Sequence, residues 1–172
     1  MPVPHTVDTA NALPTERFIG LLADVFEHSP WVAERVAGQR PFSSVDALHA
    51  AMVQVVRDAS LDEQLGLLRS HPELAGREAQ RGELTASSGV EQARAGLNAL
   101  SKDELAHIMH LNAAYMALHG FPFIVCVGRH TKQSIFGEFE RRLGQPTGSE
   151  TQEALAQVAL IARLRLDAMF AH

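Results

Sequence analysis

The chain predicts an all-α fold, a single domain of about eight helices. Three observations carry that expectation. Apolar residues recur at three- and four-residue spacing through most of the sequence, Ser and Thr stand where those stretches begin, and only one short run, Phe121 to Val127, reads as extended. Residues 1–172 carry no internal repeat, low-complexity tract or linker, so no domain boundary is expected.

The elements follow in order. Residues 1–13 are short of periodic apolar positions and read as irregular. From Thr15, the positions of Phe18, Ile19, Leu21, Leu22, Val25 and Phe26 describe an amphipathic helix, with Pro14 suited to its start. Ser29-Pro30 interrupts it, and Trp31, Val32 and Val36 suggest a short second helix ending near Gly38. Ser44 caps a third, through Leu48, Met52, Val55 and Val56. Ser60 starts a fourth, with Asp62 and Glu63 placed where the helix dipole favours acids. Pro72 disfavours an α conformation at His71, so this helix ends near Ser70. A short turn over 73–80 and a loop over 81–85 follow.

Ser87 or Ser88 caps a fifth helix carrying Val90, Ala93, Leu97 and Leu100. Ser101-Lys102-Asp103-Glu104 has capping-box spacing and opens a sixth, closed by Gly120. Phe121 to Val127 is strand-like but has no partner strand, which predicts a buried extended segment with backbone amides available to a ligand. Thr131 opens a helix through Ile135, Phe136, Phe139 and Leu143, stopped by Gly144. Ser149-Glu150-Thr151-Gln152 reads as a second capping box, opening the last helix through Leu155, Val158, Ile161, Leu164 and Phe170.

Composition excludes several function classes. A charged fraction of 20% is too low for a disordered chain, and 172 residues suffice for a core without metal or disulfide staples. Net charge is −5 and no basic run exceeds Arg141-Arg142, which argues against a nucleic-acid surface. No apolar stretch reaches the roughly 20 residues that span a bilayer, and no signal peptide is evident. The single cysteine, Cys126, reads as a buried, inert thiol, consistent with a reducing compartment such as the cytoplasm.

The nine histidines raise a metal question. His107 and His110 are three apart on one helix and His119 lies beyond them, but zinc needs three or four converging ligands. With no HExxH or Cys/His cluster, these three read as solvated surface residues, as do His5, His28, His49, His130 and His172. Ser87-Ser88-Gly89 lacks the setting of a nucleophile elbow, so Ser88 reads as a helix cap. Taken singly, His71 is more commonly a capping or packing residue than a functional one. Glu91 alone is an exposed first-turn acid, and Arg165 alone a snorkelling side chain.

Their order in the chain adds more. His71-Pro72-Glu73-Leu74-Ala75-Gly76, Gly82-Glu83-Leu84-Thr85-Ala86, Ser88-x-x-Glu91-Gln92, Ala95-Gly96-Leu97, Leu111-Asn112-x-x-Tyr115, Gly120-Phe121-Pro122-Phe123-Ile124 and Ala162-Arg163-Leu164-Arg165-Leu166 occur in succession. This pattern resembles the OHCU decarboxylase family, which converts 2-oxo-4-hydroxy-4-carboxy-5-ureidoimidazoline to (S)-allantoin in urate breakdown, a branch of purine catabolism. The resemblance implies a cofactor-free, metal-free carboxy-lyase and a homodimer acting on a small anionic ureidoimidazoline. It implies His71 as acid/base, with Glu91 and Arg165 orienting the substrate. It also implies substrate contacts from Pro72, from Ser88, Gly89, Val90 and Gln92, and from Phe123, Ile124, Val125, Cys126 and Val127. Asn112 and Tyr115 would brace the pocket from behind.

The chain departs from the family pattern in three places. Glu73 stands where Asp is usual, His119 replaces a frequent Phe, and Gly128-Arg129 inverts the order Arg-Gly. The competing expectation is a non-catalytic helical ligand-binding or interaction module on the same fold.

Overall fold

The computed structural model describes residues 4–171. Among them the chain is all-α, with no β-strand. In order stand α1 (Val7–Asn11), α2 (Thr15–Leu22), α3 (Trp31–Ala37), α4 (Val45–Asp58), α5 (Leu61–Arg69), α6 (Arg77–Arg81), α7 (Ala86–Arg94), α8 (Lys102–His119), α9 (Lys132–Leu143) and α10 (Thr147–Met169), with a 3-10 turn at Val127–Arg129. The helices beyond those expected are the five-residue α1 and α6. Two compact units hold these elements: one runs to Leu67 and resumes at Ala159, and the other is Leu68–Val158.

In the first unit, α3 packs against both α2 and α4, burying Phe18, Leu22, Val32, Val36, Leu48 and Met52. Each such side chain contributes roughly 1.5–3 kcal/mol by area removed from water. The segment expected to be irregular is ordered over its described part. The Thr6 side chain accepts from the Thr9 amide while Thr9 reaches back to the Thr6 amide, a capping box built without the usual acid. Backbone bonds from His5 N–H to Met169 O (3.1 Å) and from Ala171 N–H to His5 O (2.8 Å) hold its start. Residues 1–3 and His172 lie outside the described residues.

In the second unit, α8 packs on α9 around an aromatic cluster. Phe123 stacks on Phe139 with centroids 4.0 Å apart, and Tyr115 meets both edge-on. Gly120, at φ 75°, closes α8 in the left-handed region that glycine enters without a Cβ penalty.

Four boundaries depart from expectation, the first at α2, which ends at Leu22 instead of running on through Val25 and Phe26. Thr85 caps α7, its hydroxyl accepting from the Ser88 amide, so neither Ser87 nor Ser88 is the cap. That helix ends at Arg94, before Leu97 and Leu100, because Gly96 turns the chain at φ 78°. The last helix starts at Thr147, so Ser149 lies inside its first turn and is not its cap.

Candidate active site

His71 lies just beyond α5. Its amide donates to Leu68 O at 3.2 Å, closing the last turn, and Pro72 stops the helix from continuing. The imidazole is buried, at 8% exposure. The loop that follows is tight. Ala75 sits at φ 49°, a conformation that costs an L-residue roughly 1–2 kcal/mol. A Cβ on Gly76 would come 2.7 Å from the Glu73 Cβ, so a side chain there would force the turn open.

Two buried amides hold this loop in place. Gln92 Oε1 accepts from the Ala75 amide at 2.9 Å, and Asn112 Nδ2 donates to Leu74 O at 2.9 Å. Gln92 thus helps to position the His71 loop at Ala75, and Asn112 braces that same loop from α8. Burial is the main reason the Glu73 carboxyl titrates above its ordinary range; Glu78 adds to the shift and Arg77 opposes it.

Along α7, Ser88 and Gln92 are buried and Val90 is half exposed, so the helix face expected to be apolar at Val90 is partly solvated. Glu91 sits in the second turn and is half-buried, not the exposed first-turn acid expected, because the helix starts at Ala86. Its carboxylate reaches the surroundings of Cys126. There, burial chiefly raises the thiol pKa, Arg129 lowers it, and Glu91 raises it further. The 3-10 turn that ends the extended run packs against α7.

That run, Phe121 to Val127, is buried along its length. Arg142 Nη1 donates to Ile124 O at 2.6 Å, and Gln157 Oε1 accepts from the Cys126 amide at 2.9 Å. The Cys126 amide, expected to be available to a ligand, is therefore occupied. Arg142 itself is fully buried, with its guanidinium 4.5 Å from the Phe123 ring centroid. Its Nε and Nη2 each lie 2.9 Å from Glu150 Oε1, which also accepts from the Tyr115 hydroxyl at 2.5 Å. Burial, then the bond to Glu150, pushes the Tyr115 hydroxyl well above the usual phenol range. Tyr115 thus supports the segment through Glu150 and Arg142.

The second unit therefore brings together the His71 loop, α7 with Ser88, Glu91 and Gln92, and the segment Phe123 to Val127. Arg165 belongs to the first unit. It is not a snorkelling side chain: it is buried, its Nη1 2.8 Å from Glu27 Oε2 and donating to Asp24 O at 3.1 Å. Glu27 is 1% exposed, so the pair is desolvated on both sides.

The histidines divide. His107 pairs with Glu140 Oε1 at 3.3 Å and stacks on Phe136, and His110 is exposed. His119 is not solvated: it is buried, with Nδ1 2.8 Å from Thr147 Oγ1 and its ring against Tyr115. A polar partner at Thr147 is what lets an imidazole stand where the family often has Phe. His49 is half-buried on Ala159 O at 2.8 Å. Among the described residues, no group of three His, Cys, Asp or Glu side chains converges as metal ligands would.

Sequence reasoning missed Glu27, Arg142 and Gln157. The available signals were weak: a carboxylate directly after Val25-Phe26, an arginine three residues after Phe139, and a glutamine beside Val158 on an apolar helix.

A helical protein with a buried imidazole just beyond α5 and a loop clamped by two buried amides holds a group suited to proton transfer. Comparison with known proteins sharpens this to one family. Residues 11–167 match the model of OHCU decarboxylase, and the chain belongs to that family. It is 41% identical to the 2-oxo-4-hydroxy-4-carboxy-5-ureidoimidazoline decarboxylase of Haloferax volcanii, over 96% of this chain and 96% of that protein. It is 42% identical to the protein of that name from Halalkalicoccus jeotgali, over 94% of this chain and 90% of that one. Among solved structures, an (S)-allantoin synthase superposes with a TM-score of 0.79 at 29% identity, covering 96% of this chain and 54% of the other.

Proposed function

We propose that the chain decarboxylates 2-oxo-4-hydroxy-4-carboxy-5-ureidoimidazoline to (S)-allantoin in urate catabolism. The observation that carries this reading is family membership along nearly the whole chain, with relatives bearing that enzyme's name at 41% and 42% identity. The clustering of the His71 loop with α7 and the buried extended segment supports it physically.

The reaction asks for no external electron sink. The bond to the leaving carboxylate breaks, CO2 departs, and the electron pair moves into the adjacent imine of the ring. The ring nitrogen takes a proton, the hydroxyl proton leaves as the ring carbonyl forms, and one proton delivered to one face of the ureido-bearing carbon sets the (S) configuration. His71 is the acid/base, since imidazole with an ordinary pKa near 6.5 exchanges protons at neutral pH. Glu91 orients His71 or the substrate hydroxyl. Arg165 offers a planar fork suited to a carboxylate or ureido oxygen, and its pairing with Glu27 fixes that fork before substrate arrives. Pro72, Ser88, Gly89, Val90, Gln92 and Phe123 to Val127 supply the remaining substrate contacts.

Residues 1–172 are further proposed to act as one decarboxylase domain, as a homodimer, in the cytoplasm. Light scattering on the purified chain tests the dimer, and a monomer mass at micromolar concentration would remove it. No helix among the described residues is long and apolar enough to cross a membrane.

The decisive experiment adds protein to freshly generated substrate and follows optical activity. Rapid appearance of (S)-allantoin is expected, and His71→Asn abolishes the acceleration without unfolding the chain. Racemic product at the spontaneous rate would sink the reading, while tight binding of (S)-allantoin without turnover would indicate a ligand-binding module instead.

A further inference from the structure

We propose that Gln157 is a positioning residue which, together with Arg142, holds one side of the extended segment so that Val125 presents its amide and carbonyl together to a ureido or cyclic-urea group. The inference rests on the decarboxylase reading for the identity of the ligand. The geometry behind it comes from this chain alone.

A trans peptide group is planar, with its C=O and the following N–H pointing in opposite directions. Among the described residues the one cis bond is Arg40–Pro41, so the peptides flanking Val125 are trans. Ile124 O is bound by Arg142 Nη1 at 2.6 Å, which turns the Val125 N–H away from Arg142. The Cys126 N–H is bound by Gln157 Oε1 at 2.9 Å, which turns the Val125 C=O away from Gln157.

Both anchors trace to one face of α10. Arg142 is tied to Glu150, and Gln157 lies seven residues, two helical turns, beyond Glu150. The Val125 donor and acceptor therefore both face away from that helix. Among the described residues neither makes a hydrogen bond, although Val125 is buried. Buried backbone groups in native proteins nearly always have partners, so an open pair of this kind marks a place for a ligand.

The pair has a definite complement. An N–H and a C=O of one residue, presented together, match a group that carries an acceptor and a donor on one planar edge. A urea-type N–H next to a C=O has that edge; a bare carboxylate, with acceptors only, does not. Gln157 itself is held by its own amide, Nε2 donating to Glu153 Oε1 at 2.9 Å, so its carbonyl oxygen is the atom left to meet Cys126.

Two measurements test this on the full chain. In the first, (S)-allantoin is titrated into the 15N-labelled wild type, and the Val125 amide resonance is expected to shift more than that of Cys126. In the second, Gln157→Leu raises KM about tenfold with kcat within about twofold, and with the thermal midpoint near that of the wild type. Gln157→Glu combined with Glu153→Gln keeps an acceptor oxygen at 157 and a donor at 153, and brings KM back toward the wild-type value. An unchanged KM in Gln157→Leu overturns the proposal, and so does a parallel loss of kcat and thermal stability that marks a merely structural role. If Gln157→Leu does not fold, the titration decides, and a Val125 amide that stays still while other resonances move overturns the proposal alone. If no resonance moves and the wild type does not accelerate the reaction, the decarboxylase reading has failed and the proposal falls with it.

Discussion

Two arginines of this chain have nearly the same environment and opposite histories in its sequence. Arg142, on α9, is fully buried against Glu150, with Ile124 O and the Phe123 ring completing its surroundings. Arg165, on α10, is buried against Glu27, with Asp24 O beside it. Family resemblance singles out Arg165, and nothing in the sequence singles out Arg142. Burial and pairing are therefore common to both and mark neither as a ligand's cation. What separates them is what each guanidinium holds. Arg142 grips the carbonyl of a segment with no strand partner, whereas Arg165 grips the Asp24 carbonyl just after α2 ends.

The largest effect expected from this comparison is on stability. Arg142→Met leaves Glu150 charged and buried and Ile124 O without its donor. Removing one member of a buried pair costs roughly 3–5 kcal/mol, or a fall of about 6–20 °C in the melting midpoint by calorimetry. Replacing both Arg142 and Glu150 by apolar residues of similar volume recovers much of that loss, because no lone charge remains.

Arg165→Met inverts the balance. Per folded molecule, its rate of (S)-allantoin formation falls by ~10²-fold or more if the cation serves the developing charge. Glu27→Gln keeps a hydrogen-bonding oxygen but loses the charge, costing roughly 1.5–3 kcal/mol by urea titration. A Glu27→Gln protein as stable as the wild type would show that Arg165 does not depend on it.

Caps come next. Thr85→Ala removes the hydroxyl that accepts from the Ser88 amide at the start of α7, an expected loss of about 1 kcal/mol in chemical denaturation.

The smallest effect belongs to a surface pair that resembles the buried ones only in composition. Arg35 and Glu63 are hydrogen-bonded on the exterior, and this bond, with the Ser60 amide, holds the Glu63 carboxyl down at about 2 against an ordinary 4.5. A depressed carboxylate contributes stability above pH 4.5 and loses it as the pH falls toward 2. Because both side chains are exposed and screened, Arg35→Gln produces no resolvable change at neutral pH in moderate salt. Glu73 has the opposite sign: its raised carboxyl favours the folded chain below the ordinary value, an advantage lost as the pH climbs through the folded one. Acid titrations of Glu63→Gln and Glu73→Gln therefore diverge in opposite directions.

Helices were the most legible part of the sequence, because caps and breakers act locally. Ser44, Ser101, Thr131, Gly120 and Pro72 each do in the structure what their chemistry dictates. Errors arose where a cap had competitors. Thr85 outcompetes Ser87 and Ser88, and α10 starts at Thr147, two residues ahead of Ser149. Burial of polar groups was the least legible. Glu27, Arg142 and His119 are inside because of partners distant in sequence, and no local pattern encodes such a partner. The His71 loop stood between these cases: Pro72 announced it, but Gln92 and Asn112 hold it from two other helices.

That loop has a consequence for how its motif should be read. Of the six letters His-Pro-Glu-Leu-Ala-Gly, four record shape. Pro72 ends a helix, Leu74 is buried with its carbonyl clamped, Ala75 tolerates a left-handed backbone, and Gly76 leaves room for Glu73. A descendant that abandoned catalysis but kept the fold would be free to change His71 while the letters after it stayed. Searching genomes with the whole hexapeptide would then collect loops, and on the mechanism proposed above the imidazole at its head, read with Glu91, would sort the working enzymes from the retired ones.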